Sequence, residues 1–260
     1  MMIYNLKVEN ENNTGDMACS PVDYFDFGQK TKKIDIREDI GEIITKDDAI
    51  IIGGGGLIGY HRDWHRRIQS IIDIGCRVVL WGAGSNRHYD CTDDIPALRL
   101  SSRCMVGIRD RDSANYLPCV SCMSEHFDNL KINQKQGIGL IAHTESDLSA
   151  FGARQGIDTI DNSRALKDVL QFISDHTAII TNTYHGAYWS QLLVRPVVIA
   201  QPFSTRFDHL PVPVGRVDKL DMDAIREQMV IAEVDEGLLA DCRERNIEFS
   251  GQVMEFLRIF

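Results

Sequence analysis

The sequence predicts an α/β fold built on parallel sheets, and three observations predict it. Short runs rich in Ile and Val carry no polar alternation, which marks strands buried on both faces. They span 48–54 (DAIIIGG), 76–84 (CRVVLWGAG), 104–110 (CMVGIRD), 137–144 (GIGLIAHT), 177–182 (TAIITN) and 195–202 (RPVVIAQP). Segments with helical spacing lie between them, and strand–helix alternation implies parallel strands. A polar stretch at 124–137 (SEHFDNLKINQKQG) interrupts the alternation near the middle. It divides the chain into two Rossmann-like halves, 1–125 and 126–234, followed by a closing helix over 235–260. Ligands of open parallel sheets bind beyond the carboxyl ends of the strands. Two such halves can face each other across a cleft.

Each element follows from local chemistry. Near the start, NNTGD offers the carboxylate of Asp16 beside Gly15, which permits an unusual backbone angle. The run IIIGGGGLIG then ends a buried strand in glycines 53 to 56. Such a loop suits either close backbone approach to a ligand or a tight turn into a helix. The helix follows over 61–75, with Trp64, Ile68, Ile71 and Ile72 on one face and Gly75 as its stop. LWGAGSN repeats the design, with Gly82, Gly84, Ser85 and Asn86 at a strand end. VGIRDRDS sets Arg109 just past a strand and Ser113 at a helix start. Arg109 is there either a clamp for a phosphate or carboxylate or a surface partner of Asp110 or Asp112. NSRALKDVLQFISD has Asn162 or Ser163 as its cap and buries Leu166, Val169, Leu170 and Ile173. In TNTYHGAYWSQLL a strand turns into a helix at His185 and Gly186. That histidine is either a hydrogen-bonded structural residue or a proton donor and acceptor near neutral pH. The closing helix carries Leu238, Leu239, Cys242 and Phe249 as its apolar residues.

Composition bounds the function. Of 260 residues, 43% are hydrophobic and 25% charged, the balance of a soluble globular protein. No apolar run approaches the roughly 20 residues that span a bilayer, and the start lacks a signal-peptide layout. A cytoplasmic location is expected, free or at the inner face of a membrane. The net charge of −10 argues against a nucleic-acid partner, which needs a basic face. A few focused arginines still suit a small anion. Seven cysteines without framework spacing fit reduced thiols. CVSC, Cys119 to Cys122, lacks the second pair or the histidines a zinc site needs, so no metal is expected.

Several of these stretches, taken together, resemble the polysaccharide pyruvyl transferase family. NTGD, AIIIGGGGLI, LWGAGSN, VGIRDRDS, LPCVSCM and AIITNTYHGAYWSQLLVRPVVI occur in the family's order and rough spacing, and PFSTRF is similar to a further stretch of its bacterial members. The resemblance runs from about Asn13 to Phe207. It implies a two-domain architecture like that of GT-B glycosyltransferases, with a C-terminal helix crossing back to the first domain. It implies transfer of a pyruvyl group from phosphoenolpyruvate to a saccharide of a surface polysaccharide or its precursor, free or lipid-linked, with formation of a ketal. No cofactor is implied beyond phosphoenolpyruvate as co-substrate.

Position by position, the resemblance makes His185 the family's HG histidine near the donor and Arg109 the anion clamp; the chemistry of such a transfer then suggests His185 as general acid, Arg206 as a second cation and Asp16 as a base for the hydroxyl. The glycines at 53 to 56 (Gly54, Gly55 and Gly56 among them), with Asn13 and Asp16, then look towards the acceptor side, and Gly15 joins the substrate-binding set. Gly84, Ser85, Asn86, Ser113, Thr183, Tyr184 and Gly186 complete the expected substrate-binding set. One departure stands out. Many members carry arginine two residues before the HG histidine, and this chain has Thr183 there, which cannot replace that charge. The alternative is a GT-B-like glycosyltransferase with a nucleotide-sugar donor. A non-enzymatic sugar-binding module and a dinucleotide oxidoreductase rank lower, the latter for want of its glycine fingerprint.

Overall fold

The computed structural model describes every residue except 42, 60, 61, 132, 134, 135, 145, 259 and 260, and the side chain of 62. The helix expected over 61–75, the join at 124–137 and the helix expected to reach 260 each include some of these positions, which lie outside the described residues. The fold is mixed α/β. It has two sheets of parallel strands and, among the described residues, seven α-helices.

The first sheet holds β1 (Ile3–Lys7), β2 (Thr31–Asp35), β3 (Ala49–Ile52), β4 (Gly55–Ile58), β5 (Arg77–Ser85) and β6 (Cys104–Ile108). Its backbone order is β2-β1-β3-β5, with β6 on the opposite edge of β5. β3 and β4 lie end to end along one edge of β5. Ala49 faces Arg77 and Gly55 faces Ala83, so the register is carried across Gly53 and Gly54. The glycines at 53 to 56 are therefore no turn into a helix, as the sequence suggests, but an interruption within one line of strand. Likewise Gly82, Gly84 and Ser85 lie inside β5 rather than beyond it. Four residues of β3 are fully buried, consistent with a strand covered on both faces.

The second sheet runs β11-β10-β9-β7-β8, from β7 (Gln136–Ala142), β8 (Asp158–Asp161), β9 (His176–Thr181), β10 (Val197–Ala200) and β11 (Gly215–Val217). The helices are α1 (Thr14–Met17), α2 (Arg62–Asp73), α3 (Leu148–Gln155), α4 (Leu166–Asp175), α5 (Tyr184–Leu192), α6 (Met222–Val230) and α7 (Leu238–Arg258). α2 buries Ile68, Ile71 and Ile72 on one face, and Gly75 beyond it takes a positive φ of 80°. α4 buries Val169, Leu170 and Ile173. It starts later than its sequence suggests, after Ala165 and without a side-chain cap, because Asn162 is used elsewhere. Segment 111–116 is turn rather than helix, so Ser113 caps no helix. No described helix is long and apolar enough to cross a membrane.

α7 ties the molecule together. Phe249, Val253 and Leu257 pack against Ile3, Ile51, Val79 and Trp81 of the first sheet. Nearer its start, Leu238 and Cys242 join the core around Ile179 and Tyr188 of the second. Burying each large side chain contributes about 1.5–3 kcal/mol. The Trp81 indole stands edge-on to Phe249 at 4.9 Å and donates to Asn246 Oδ1 at 2.8 Å.

Candidate functional site

Loops beyond the carboxyl ends of strands from both sheets meet at one cavity. It is lined by Asn13, Gly15, Asp16, Gly55, Gly56, Arg109, Thr183, Tyr184, His185, Gly186 and Arg206, together with Ile141, His143, Asn162, Val169 and Trp189. The free volume is small, about 50 Å³.

The loop after β1 delivers α1. Its cap is Asn13, whose Oδ1 accepts from Gly15 N at 3.1 Å. Thr14 fixes this short helix to the second half: its amide donates to Asn162 O at 2.8 Å and its hydroxyl to Arg164 O. Gly15 is then pressed against the His185 ring. A Cβ there would lie 2.0 Å from His185 Nδ1, far inside contact distance. Gly15 is needed for that close approach and not for a left-handed backbone, since its φ is not positive. Asp16 follows. Burial pushes its carboxyl up, against the pull of His185, Arg109 and Arg206.

α5 begins one residue before His185. Thr183 is its cap, with Oγ1 accepting from Gly186 N at 3.0 Å and lying 3.0 Å from Thr181 Oγ1. Gly186 makes room for this, because a Cβ there would come within 2.4 Å of Thr183 Oγ1. The residue where the resembling family has arginine is thus a buried capping hydroxyl. Tyr184 and Trp189 flank the His185 ring at 5.3 and 5.1 Å.

Arg109 follows β6 and is only 2% exposed. Its guanidinium lies over the Tyr184 ring, 3.6 Å from the centroid. It forms no ion pair among the described residues, and its buried Nε has no hydrogen-bond acceptor. The surface-pair reading fails for a definite reason. Asp110 is taken by Ser85, accepting from its amide at 3.0 Å and its hydroxyl at 2.6 Å. Asp112 lies beside Arg111 and His209. Arg206 reaches the same cavity from 205–207, its guanidinium over Phe203 at 4.4 Å and Phe207 at 5.0 Å.

Five expected site residues stand outside the cavity lining. Gly84 is a packing position behind Arg109, where a Cβ would meet Arg109 Nε at 2.5 Å. Ser85 orients Asp110. Asn86 packs over Gly56, and Gly54 lies against Cys19. Ser113 accepts from Asn115 N in a surface turn.

Two cysteines complete the site: Cys119, from the CVSC motif, and Cys19, which carries no local signal. His185 Nε2 faces Cys19 Sγ at 3.3 Å and Cys119 Sγ at 3.5 Å, and the two sulfurs are 3.5 Å apart. Both thiols are fully buried. Contacts with Cys19 and then His185 hold Cys119 well below the usual thiol range, while the contact with Cys119 and burial push up Cys19, whose thiol donates to Gly15 O at 2.9 Å. These three side chains lie close enough together to share a metal ion, a grouping that the sequence does not suggest. Cys119 turns to Cys19 rather than to its CxxC partner, and Cys122 Sγ instead accepts from Asn246. His143 and Asn162 were also missed. His143 sits just past β7, a strand legible in the sequence, whereas Asn162 follows β8, whose DTID gives no strand signal.

No protein-family model matches the chain, and no curated protein matches it. Among solved structures, a functionally uncharacterised protein of Klebsiella pneumoniae is similar at 18% identity and a TM-score of 0.45, over 77% of this chain and 82% of that one. A likeness of that degree carries no argument about function.

Proposed function

We propose that the protein is a pyruvyl transferase that moves the pyruvyl group of phosphoenolpyruvate onto a saccharide as a ketal. The observation that carries this reading is Arg109. A guanidinium 2% exposed, in no ion pair among the described residues, and lining a cavity with Arg206 suits an anionic ligand. Strand ends of two parallel sheets meeting at that cavity suit two Rossmann-like domains facing across a cleft in the GT-B manner.

In this mechanism Arg109 and Arg206 hold the carboxylate and phosphate. Asp16, whose carboxyl keeps its proton to higher pH than usual, protonates the donor's methylene carbon, and an acceptor hydroxyl bonds to the adjacent carbon. That hydroxyl's proton returns to Asp16. The carbon–oxygen bond to phosphate breaks, a second hydroxyl closes the ketal, and its proton leaves with the phosphate. His185 shapes the donor end of the cavity. Its Nε2 faces sulfur and its Nδ1 faces Gly15, so proton delivery falls to Asp16 in place of the histidine favoured by the sequence.

Mass spectrometry of a saccharide panel incubated with protein and phosphoenolpyruvate tests this. A pyruvate-ketal mass gain together with phosphate release is the expected result. Thermal stabilisation by nucleoside diphosphates, with none by phosphoenolpyruvate, would move the assignment to a glycosyltransferase.

A further inference from the structure

Cys19, Cys119 and His185 come from three separate segments, yet their ligand atoms form a nearly equilateral triangle with sides of 3.3, 3.5 and 3.5 Å. We infer that these three residues bind one zinc-class divalent cation. The size of the triangle is the main argument. Tetrahedral zinc with bonds of about 2.3 Å to sulfur and 2.0–2.1 Å to nitrogen spaces its ligands about 3.6–3.8 Å apart. The observed triangle needs to open by only a few tenths of an ångström.

Chemistry agrees with size. A buried cysteine serving only as a small apolar filler needs no polar partner, but here both sulfurs face the same imidazole nitrogen. Two thiolates and a neutral imidazole balance a divalent charge, the condition for placing an ion in a buried site. The ligands are also supported from behind. Ser121 Oγ donates to Cys119 Sγ at 3.3 Å, and Trp189 Nε1 donates to that hydroxyl at 3.0 Å. Outer contacts of this kind orient metal ligands. Three protein ligands leave a fourth position for water or a substrate oxygen, the ligand count of a catalytic zinc site. His185 also lines the anion-binding cavity. The inference does not depend on the pyruvyl-transfer reading.

The test uses the full chain carrying C91S and C104S, since those two thiols are partly exposed and would bind metal adventitiously. After reduction and chelator treatment, the protein is dialysed against Zn²⁺ and, separately, Co²⁺. One equivalent per chain is expected. The cobalt form should show thiolate charge-transfer absorption for two sulfurs and the visible bands of a four-coordinate ion. Adding C19S or C119S should halve the charge-transfer band, and each of these or H185Q should weaken binding by about tenfold or more. If a serine variant loses its circular dichroism, the parent cobalt spectrum decides alone. No bound metal, bound metal without a two-thiolate band, or recovery of Cys19 and Cys119 as a disulfide in a chain that binds no metal when reduced would each overturn the inference.

Discussion

At the scale of single residues, Arg109 and Gly15 set the chemistry of the cavity. Arg109 presents a planar cation held by stacking on Tyr184, so charge alone does not replace it. In the proposed pyruvyl transfer, Arg109→Gln should lower kcat/KM for phosphoenolpyruvate by about 100- to 1,000-fold, the scale for losing one preorganised electrostatic contact. Arg109→Lys should recover only a small part. Wild-type kinetics in a folded Arg109→Gln variant would remove the residue from the site. Gly15→Ala puts a methyl into the His185 ring. It should cost about 1–3 kcal/mol by overpacking, read as a lower urea midpoint, and should weaken donor binding as well. The sequence pointed to Arg109, His185, Asp16 and Gly15 because glycine, arginine and histidine just beyond apolar runs are local features. It could not show what Gly15 is for. A close approach between residues 170 positions apart leaves no local trace.

At the scale of elements, α5 accounts for the departure at Thr183. The side chain is 5% exposed, caps the helix and meets Thr181. Thr183→Ala should cost about 1 kcal/mol, the usual worth of a capping side chain. Thr183→Arg should destabilise the fold further, because it removes the same cap and places a long cation in the cavity that Arg109 lines. Chemical denaturation of both variants checks this, and a Thr183→Arg protein as stable as wild type would show the position to be open. The strands legible in the sequence, β3, β5, β6, β7, β9 and β10, are those with few polar residues, whatever their length. Those that escaped, such as β2 (TKKID) and β8 (DTID), lie at sheet edges and carry charge, as edge strands do. β4 escaped because glycine normally weakens a strand. Here it continues the line of β3 beside β5, a relation set by pairing rather than by side-chain pattern.

At the scale of the whole molecule, two features govern stability. Asn246 is fully buried on α7, accepts from Trp81 and donates to Pro118 O and Cys242 O. Asn246→Ala strands the Trp81 indole N–H in the core, and should cost about 1–3 kcal/mol in thermal or urea unfolding. The second is Asp35, at the end of β2. The Arg37 guanidinium hydrogen-bonded to it holds its carboxyl down to about 2. Because the folded value lies below the ordinary carboxylate value of about 4, the contribution is complete above that pH and is lost as pH falls from 4 towards 2. The Arg37 side chain is 58% exposed, so solvent screening holds the contribution to about 1 kcal/mol or less. Asp35→Asn should therefore be less stable than wild type at neutral pH, with the gap closing near the acid end. A constant gap across that range would mean that the charge of Asp35 is not its source.

The sequence by itself determined the fold class, most buried strands and the glycine, arginine and histidine positions at their ends. All of these are encoded within a few residues, in apolar run length and in the residues that punctuate it. Only the tertiary structure decided which of them meet. It drew Arg109 away from Asp110, made Thr183 a cap, and brought Cys19 to Cys119 and His185, which lie 100 and 166 residues further along. The physical reason is the parallel sheet. Pairing strands far apart in sequence gathers their carboxyl ends, and whatever side chains follow those ends become neighbours through pairing order rather than through any pattern in their own segments.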